Sequence, residues 1–468
     1  METARGSGMF KLLTTRTPAR IVSRVDLGPI IASVSAIVFL GFSGTELEAA
    51  NRWASFQNGG QTRIVEPGKL PLKWSMDKGI VWAAELGGYG QSTPVVWSDQ
   101  VIVTFTSGGM KQKLHIRALE LATGKLAWEH TSENSTPEKS SNYVSRAAPS
   151  PVADNDGVNA FFEGGNLIGL NHQGKVRWER DLVKDYGPIK ARHGLASSLE
   201  QNNEHVFVWV ERTQEPFILA VSKKTGKTTW KVAGVGKTAW SSPRLVNVDG
   251  RPQLVLSAIG RIIGLDPSSG TRLWEFEDVA NNTTPTPMPL GGGRFLLGAS
   301  EGRGQGSVGP KKSCGVIEIS KKENGSFAAK YVWRAAKATS SFGSPIVAGD
   351  NAYFVSRSGV VYCLNAKTGK QRYAKRSAGS VWATPMHIGN RIYLFGRNGT
   401  TTVIGDGNKF EVLAQNTLWA LDPPKPAPAA EGGRGAPPSF GGPVLYAVAV
   451  AGDKFLLRRG DRLYCVSE

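Results

Sequence analysis

His193 is the residue whose type and surroundings best fit acid–base chemistry. Arg192 precedes it directly, and Asp185 and Tyr186 lie a few positions before. A histidine near an acidic side chain can exchange protons close to neutral pH, as a general acid or base must. A single histidine on a loop is also a common structural or surface residue, so both roles remain open for His193.

A larger set of aromatic, amide and guanidinium side chains could bind a ligand. They lie just before recurring apolar runs, and we expect the turns that carry them to meet at one mouth of a central channel. Rings stack on flat or sugar-like ligands, while amides and guanidinium groups hydrogen-bond them. Alternatively, the rings fill the channel, and Arg146 and Arg192 pair with loop carboxylates. The candidate residues are Tyr89, Gln91, Tyr143, Arg146, Arg192, His193, Trp240, Asn282, Phe342 and Trp382.

The sequence offers no metal-binding motif. Cys314, Cys363 and Cys465 are the only cysteines, and their spacing is too wide for a zinc or haem motif. We therefore predict no metal site and treat the cysteines as buried apolar side chains. An exported chain with so few cysteines must draw its stability from a large core.

A repeat of short strands would position these residues. A turn glycine recurs with an aromatic residue four positions later; Gly124 and Gly369 lie 245 residues apart, which is five periods of 49. Glycine accepts the positive φ that such turns need. The ring can pack on the neighbouring unit and bury area that one sheet cannot bury alone. We assign this structural, blade-docking role to Trp82, Trp128, Trp178, Trp230, Trp274, Trp333 and Tyr373.

Eight apolar runs mark the starts of eight units. Six open with Ser-Pro or Thr-Pro, one lacks the proline, and the last is placed by its distance from Gly452-Asp453. The start residues are Thr93, Ser150, Ser198, Ser242, Thr286, Ser344, Thr384 and Ala447. Each unit has room for four strands. The pattern predicts an all-β fold, an eight-bladed β-propeller of four-stranded antiparallel blades over residues 79–468.

The two ends of the repeat complement each other. After Val448 the chain has room for three strands only, whereas an unaccompanied outer strand with Trp82 precedes the first unit. We therefore expect this N-terminal strand to complete the last blade, because closure removes exposed sheet edges.

Three segments lie outside the repeat. In residues 1–50, Arg16, Arg20 and Arg24 precede an uncharged run, Leu27 to Phe42, and an Ala-rich end. This order predicts a signal peptide or, if it is not cleaved, an N-terminal membrane anchor. Residues 51–78 form an N-terminal extension. Residues 423–438 are rich in Pro, Gly and Ala, and we expect a disordered insertion there.

The formal net charge of +18 favours anionic partners. Anionic polysaccharide, membrane headgroups and nucleic acid share this property, and export argues against nucleic acid. Contact with a membrane is expected only through an uncleaved N-terminal segment, residues 27–42.

The segment Ala118 to Trp128, which reads Ala-Leu-x-Leu-x-Thr-Gly-Lys-x-x-Trp, resembles the repeat of the pyrroloquinoline-quinone-like (PQQ-like) propellers. The Ser/Thr-Pro starts resemble it too, and the resemblance covers about residues 79–468. That superfamily includes quinoprotein alcohol and sugar dehydrogenases, which use PQQ and Ca²⁺. It also includes a cofactor-free lipoprotein that scaffolds outer-membrane protein assembly, so the resemblance alone implies no single function.

The chain departs from both groups. The dehydrogenases carry two adjacent cysteines, whereas Cys314 and Cys363 lie 49 residues apart, and neither a haem-attachment motif nor a matching Glu, Asn and Asp set for calcium is found. The lipid-anchoring cysteine is absent as well. We therefore expect a monomeric, non-catalytic binding or scaffolding propeller of the periplasm or cell envelope, without a cofactor, whose partner is an envelope protein or an anionic polysaccharide. The alternative is a PQQ- and Ca²⁺-dependent dehydrogenase of alcohols or sugars.

Overall fold

The structure, a computed structural model, describes residues 52–64, 70–139, 141, 143–301, 313–377, 379–419 and 444–468. The signal or anchor expected over 1–50 and the insertion expected over 423–438 lie outside these residues. Helix in the described part is limited to a 3₁₀ segment, Phe56–Gly60, and a one-turn α-helix, α1, Leu182–Tyr186. Neither is long or apolar enough to span a membrane.

The described strands form eight sheets, and the prediction of an all-β, eight-bladed propeller with four-stranded blades is confirmed. Three strands precede the first blade: β1 (Arg52–Trp53), β2 (Arg63–Ile64) and β3 (Ile80–Glu85). Blade 1 contains β4 (Val95–Trp97), β5 (Gln100–Ser107), β6 (Lys113–Glu120) and β7 (Leu126–Glu133). Blade 2 contains β8 (Val152–Asp154), β9 (Gly157–Phe161), β10 (Asn166–Leu170) and β11 (Val176–Asp181).

The next four blades follow the same plan. Blade 3 contains β12 (Glu200–Gln201), β13 (His205–Val210), β14 (Phe217–Ser222) and β15 (Thr228–Ala233). Blade 4 contains β16 (Arg244–Val248), β17 (Arg251–Ala258), β18 (Arg261–Leu265) and β19 (Arg272–Phe276). Blade 5 contains β20 (Met288–Gly291), β21 (Arg294–Leu297), β22 (Gly315–Lys321) and β23 (Phe327–Arg334). Blade 6 contains β24 (Ile346–Ala348), β25 (Asn351–Val355), β26 (Val360–Asn365) and β27 (Gln371–Arg376).

The last two blades combine both ends of the chain. Blade 7 contains β28 (Met386–Ile388), β29 (Arg391–Phe395), β30 (Thr400–Gly405) and β31 (Val412–Thr417). Blade 8 contains β32 (Leu445–Ala451), β33 (Lys454–Arg459) and β34 (Arg462–Val466), and β3 lies beside β34 as its outer strand, with Ala83 opposite Tyr464. In addition, β1 pairs with β4 and β2 with β28, so that blades 1 and 7 each have a fifth strand on the inner side.

The hydrophobic core lies between neighbouring blades. Phe161 and Leu167 of blade 2, for example, share one buried cluster with Val206 and Leu219 of blade 3. Successive strand residues point to opposite faces, so each blade can bury both of its faces against two neighbours. This arrangement gives the chain a core without disulfides, and the three cysteines are free and buried.

Most outer-strand rings lie on the turn glycine of the following blade. A Cβ atom built at Gly124 would lie 2.5 Å from the indole of Trp82, and the same close approach occurs at Gly174, Gly226, Gly270 and Gly369. The rings involved are Trp82, Trp128, Trp178, Trp230 and Trp333. The turn glycine is thus needed twice, for its positive φ and for the space that a side chain would fill.

The unit around Gly325 departs from this pattern. No atom lies within 4 Å of a Cβ built at Gly325, and the indole of Trp274 instead donates to Gln253 Oε1 of its own blade, 2.7 Å away. Tyr373 packs edge-on against Phe410 of blade 7, with ring centroids 5.7 Å apart. Two of the seven assigned aromatics therefore make contacts of a different kind.

A belt of hydrogen bonds connects the start residues of seven blades. The backbone N–H of Thr93 donates to the hydroxyl of Ser150, and five further bonds of 2.9 to 3.0 Å continue the series. Its members are Thr93, Ser150, Ser198, Ser242, Thr286, Ser344 and Thr384. Each buried N–H needs an acceptor, and the hydroxyl of the next blade supplies it. This requirement explains why Ser198 keeps its hydroxyl although no proline follows it.

The N-terminal extension is part of the ring. Trp74 is buried between blades 7 and 8, where it stacks on Tyr393 and contacts Phe455. Its backbone N–H donates to Asn416 Oδ1 at 2.9 Å, and Tyr393 donates to the carbonyl of Pro71 at 3.1 Å. The segment thus seals the junction between these two blades.

Candidate functional site

Two kinds of loop share one end of the ring, which we call the mouth. Strand direction alternates within each blade, so the connections into the innermost strands lie at the same end as the loops between the second and third strands. The opposite end carries the Gly turns. All ten sequence-predicted ligand residues lie on the connections into the innermost strands.

Four rings, the aromatic row, follow one another at the mouth: Phe342, Trp382 and Tyr89 lie on connections and Tyr446 lies at the start of β32. The ring centroids of Phe342 and Trp382 are 4.6 Å apart, and those of Trp382 and Tyr446 are 6.3 Å apart. Tyr446 and Tyr89 follow, with hydroxyl oxygens 2.6 Å apart. Burial, with Tyr446 as neighbour, raises the pKa of Tyr89, which therefore stays protonated at neutral pH. Phe342 and Trp382 are half-buried, so parts of their faces are available for stacking.

Positive charge lies beside the aromatic row. The guanidinium group of Arg397 is 5.0 Å from the ring centroid of Trp382, a cation–π distance. Arg458 lies fully buried near Tyr89, and burial lowers its pKa to about 9. Its Nη2 donates to the carbonyls of Thr104 and Gly460, while its Nε and Nη1 have no hydrogen-bond partner among the described residues. The row is therefore flanked by cations.

A second group of rings, the His193 cluster, lies across blades 2 to 4. The centroid of His193 is 4.8 Å from that of Tyr143 and 6.0 Å from that of Trp240. His193 has a φ of 64°, and its carbonyl accepts from Ser141 Oγ at 2.7 Å. Asp185 binds Arg180 on the outer side of blade 2 instead, with 3.0 Å between Arg180 Nε and Asp185 Oδ2. The cluster thus presents a stacking surface, and the acid–base role of His193 stays a prediction.

A cavity of about 270 Å³, the basic pocket, opens beside the His193 cluster. Its lining comprises Ala191, Arg192, Gly194, Glu211, Arg212, Thr213, Pro216, Gly236, Lys237, Thr238 and Ala239. Arg192 and Lys237 are exposed, whereas Nη1 of the buried Arg212 donates to three backbone carbonyls. The carbonyl of Gly194 accepts the indole N–H of Trp240 at 3.1 Å, which joins the pocket to the ring cluster.

Glu211 is the carboxylate of this pocket, and its oxygens are already bound by protein donors. It accepts from the indole of Trp209 and from the backbone N–H groups of Val235, Gly236 and Lys237. Burial raises the pKa of Glu211, and these bonds oppose the rise. Because Glu211 is occupied in this way, the charged side chains that the pocket offers to solvent, Arg192 and Lys237, are cationic.

Three of the predicted ligand residues are bound within the protein. Gln91 bridges to the backbone of the 143–145 loop. Arg146 is 4 % exposed and forms an ion pair with Glu163 at 2.9 Å. Asn282 is fully buried; its Nδ2 donates to Ser257 Oγ and Ala258 O, and its Oδ1 accepts from Gly260 N–H. The side chains of these three residues support the loops. The seven predicted ligand residues that remain as candidates are Tyr89, Tyr143, Arg192, His193, Trp240, Phe342 and Trp382.

A calcium-bound quinone would need several oxygen ligands placed around one point at the mouth. Among the described residues no group of three or more His, Cys, Asp or Glu side chains is placed to hold a metal. Three oxygen groups at the mouth, the amide of Asn282 and the carboxylates of Glu163 and Glu211, already accept hydrogen bonds from protein donors. Cys314 and Cys363 lie in different blades.

Several residues of the mouth were not among those predicted from the sequence. Tyr446 directly precedes Ala447, the one blade start without a hydroxyl. Its position next to the eighth blade start could have indicated that it lies at the mouth. Arg212 and Lys237 lie on turns whose approach to Arg192 depends on the packing of blades 2 to 4. Spacing along the chain carries no information about that approach.

A ring of blades, most of them docked to the next by an aromatic side chain on a turn glycine, defines the class of PQQ-like repeat propellers. The chain belongs to the family whose description is outer membrane protein assembly factor BamB; the family model matches residues 56–187, 188–303 and 328–452. The resemblance to PQQ-like propellers is thereby confirmed. No curated protein matches the chain in sequence.

Solved structures of two functional kinds share the fold. BamB from Moraxella catarrhalis is 16 % identical with a TM-score of 0.54, and the match covers 83 % of this chain and 97 % of that one. A europium-containing methanol dehydrogenase is 11 % identical with a TM-score of 0.55, covering 91 % and 99 %. The quinohemoprotein alcohol dehydrogenase from Comamonas testosteroni is 11 % identical with a TM-score of 0.54, covering 91 % and 82 %. At these identities the likeness shows the fold alone.

Proposed function

We propose that this protein is an exported, monomeric and non-catalytic propeller of the periplasm or cell envelope that binds or scaffolds a negatively charged partner. The partner is an envelope protein or an anionic polysaccharide, and no cofactor takes part. The observation that carries the proposal is the basic pocket, whose exposed side chains Arg192 and Lys237 lie beside the rings of the His193 cluster. A family whose description names an assembly factor supports a binding role.

The chemistry of the mouth suits such a partner. Exposed rings stack on apolar or sugar faces, and cations attract carboxylates at the same place. The net charge of +18 raises the encounter rate with an acidic surface, and this effect weakens as salt screens the charges. The mouth therefore favours an extended acidic ligand.

The test is a binding titration of the purified full chain with polygalacturonate and with poly-glutamate, using neutral dextran as the uncharged reference. We expect salt-dependent binding to an acidic polymer, and about three- to tenfold weaker binding at low salt for the double variant Arg192→Gln, Lys237→Gln.

The matched control is the double variant Lys125→Gln, Lys227→Gln, which removes two exposed cations from turns at the opposite end of the ring. It changes the net charge equally and should leave binding nearly unchanged. If both double variants weaken binding to the same extent, the attraction comes from total charge and the mouth is not the site. Failure to bind either acidic polymer would also overturn the proposal.

A further inference from the structure

Residues 52–64 fill the central channel, and we call this segment the channel plug. β1 pairs antiparallel with β4, the innermost strand of blade 1, while β2 pairs parallel with β28, the innermost strand of blade 7. Innermost strands run away from the mouth, so β1 approaches the mouth and β2 leaves it. The segment therefore enters from the end opposite the mouth, turns at Phe56–Gly60 and returns.

The side chain of Gln57 is recognised by three blades. Its Nε2 donates to Ser344 Oγ at 2.9 Å and to Thr384 Oγ1 at 2.7 Å, two hydroxyls of the belt. Its Oε1 accepts from Nη2 of Arg244 at 3.1 Å. Both the nitrogen and the oxygen of the Gln57 carboxamide thus bond to residues of the blades. This is the geometry of a specific ligand contact.

Arg244 is positioned for this contact by a buried ion pair. Its Nη1 lies 3.1 Å from Glu200 Oε2, and its Nη2 also donates to the carbonyl of Phe56 at 3.2 Å. Both charged side chains are almost fully inaccessible. A buried charge needs well-placed partners, and the plug supplies two of those that Arg244 has.

The tip of the plug has an unfavourable backbone. Gln57 and Asn58 have φ values of 55° and 48°, in the left-handed region that residues with a side chain rarely adopt. Such a conformation persists only when surrounding contacts enforce it. The turn is closed by two bonds, from Ala54 N–H to Asn58 Oδ1 at 3.2 Å and from Gly59 N–H to Ser55 Oγ at 2.9 Å.

We propose that the channel is a binding site for an extended peptide and that residues 52–64 are its ligand, held there as part of the same chain. The recognition elements are strand pairing at the inner edges of blades 1 and 7 and the carboxamide of a turn glutamine. This site lies on the other side of the belt from the mouth and is independent of the proposed function.

The experiment uses the full chain with a protease recognition sequence in place of residues 65–69, so that cleavage leaves the plug bound without a covalent link. A fluorescent synthetic peptide of residues 52–64 is then added, and its entry is followed by anisotropy after gel filtration. Peptides with Gln57→Ala or Gln61→Ala compete against it; Gln61 is an exposed glutamine of the same segment.

We expect the labelled peptide to bind saturably to the cleaved protein and not to the uncleaved one. The Gln57→Ala peptide should compete about ten- to hundredfold less well, because three buried hydrogen bonds are lost, whereas the Gln61→Ala peptide should match the natural sequence. Two results would overturn the proposal: no entry of the labelled peptide at any temperature up to the onset of unfolding, or equal competition by the two variant peptides.

Discussion

The indole of Trp178 in blade 2 lies against Gly226 in the turn of blade 3, where a Cβ atom would come within 2.6 Å of the ring. The indole N–H also donates to the carbonyl of Lys223 at 2.7 Å, in the same turn. Trp178 thus provides both packing and a hydrogen bond between blades 2 and 3. The glycine and the aromatic residue of the repeat therefore recur because they form an interface between blades.

Replacing Trp178 by Ala should destabilise the ring. The change removes a buried ring and leaves a cavity, and we expect a loss of about 3–5 kcal/mol in the free energy of unfolding, measured by urea denaturation. Trp178→Phe keeps most of the packing but loses the bond to Lys223, so its loss should be smaller. Equal effects of the two substitutions would mean that packing on the turn is unimportant.

Replacing Gly226 by Ala should lower the free energy of unfolding more than the same change at another glycine with similar backbone geometry. Gly226 and Gly250 have φ values of 70° and 78°, but no atom lies within 4 Å of a Cβ built at Gly250. Gly250→Ala should cost about 1–2 kcal/mol for the positive φ alone. Gly226→Ala adds the overlap with Trp178, about 1–3 kcal/mol more. Matching midpoints in thermal denaturation would contradict this expectation.

The hydroxyl belt can be interrupted at one position. Ser198→Ala removes the acceptor of the Ser150 N–H, which is buried, so we expect a loss of about 1–3 kcal/mol in the free energy of unfolding. Ser198→Thr keeps the hydroxyl and should retain most of the stability, because threonine occupies other belt positions. The belt would have no energetic role if both variants unfolded at the same denaturant concentration.

The stability of the ring should depend on the protonation of Glu163. Burial raises its pKa from 4.5 to about 7, Glu138 adds to the rise, and Arg146 opposes it. Between pH 4.5 and 7 the unfolded chain releases this proton while the folded state keeps it. Stability should therefore fall with rising pH, by up to about 1.4 kcal/mol per pH unit, and level off above pH 7.

The matching variant is Glu163→Gln, which has no titratable carboxyl group at this position. Its stability should therefore not show this part of the pH dependence. Urea denaturation of both proteins at several pH values between 4 and 8 measures the difference. Parallel stability profiles would show that Glu163 is ionised throughout and paired with Arg146.

Quinone binding gives a further prediction. Because protein donors already bind the oxygen groups at the mouth, adding PQQ with Ca²⁺ to the purified protein should cause no shift of the quinone absorbance. Dye-linked oxidation of methanol or glucose should also stay at the level of the buffer. A saturable absorbance shift that requires Ca²⁺ would favour the dehydrogenase function.

The blade count could be predicted because it depends on local spacing. The turn glycines, the rings four residues later and the Ser/Thr-Pro starts recur within each unit, and the eight sheets follow them closely. The role of the Ser and Thr hydroxyls at the blade starts could not be predicted from one unit. The hydroxyl of Ser150, for example, accepts from the N–H of Thr93, which lies 57 residues earlier in the chain. Periodicity reveals that a residue recurs, but its partner lies in another period.

The site was less accessible to prediction. Arg146 and Asn282 were chosen by position, and the chain does place them on the mouth connections, but their side chains turn inward to Glu163 and to Ser257. The channel plug has no repeat signature at all. Gln57 meets Ser344 across 287 residues of sequence, and only the assembled ring brings them together.

The channel plug also constrains when the ring can be completed. Residues 52–64 emerge early from any translocation or synthesis machinery, yet their partners include Thr384, and the neighbouring strand β3 pairs with the last strand of the chain. Gln57 and β2 therefore lack several of their partners until blades 6 and 7 have emerged. Long-range pairing of this kind slows folding and exposes strand edges meanwhile. Closure of the ring around residues 52–64 is therefore a late step of folding, because it needs strands from blades 6, 7 and 8.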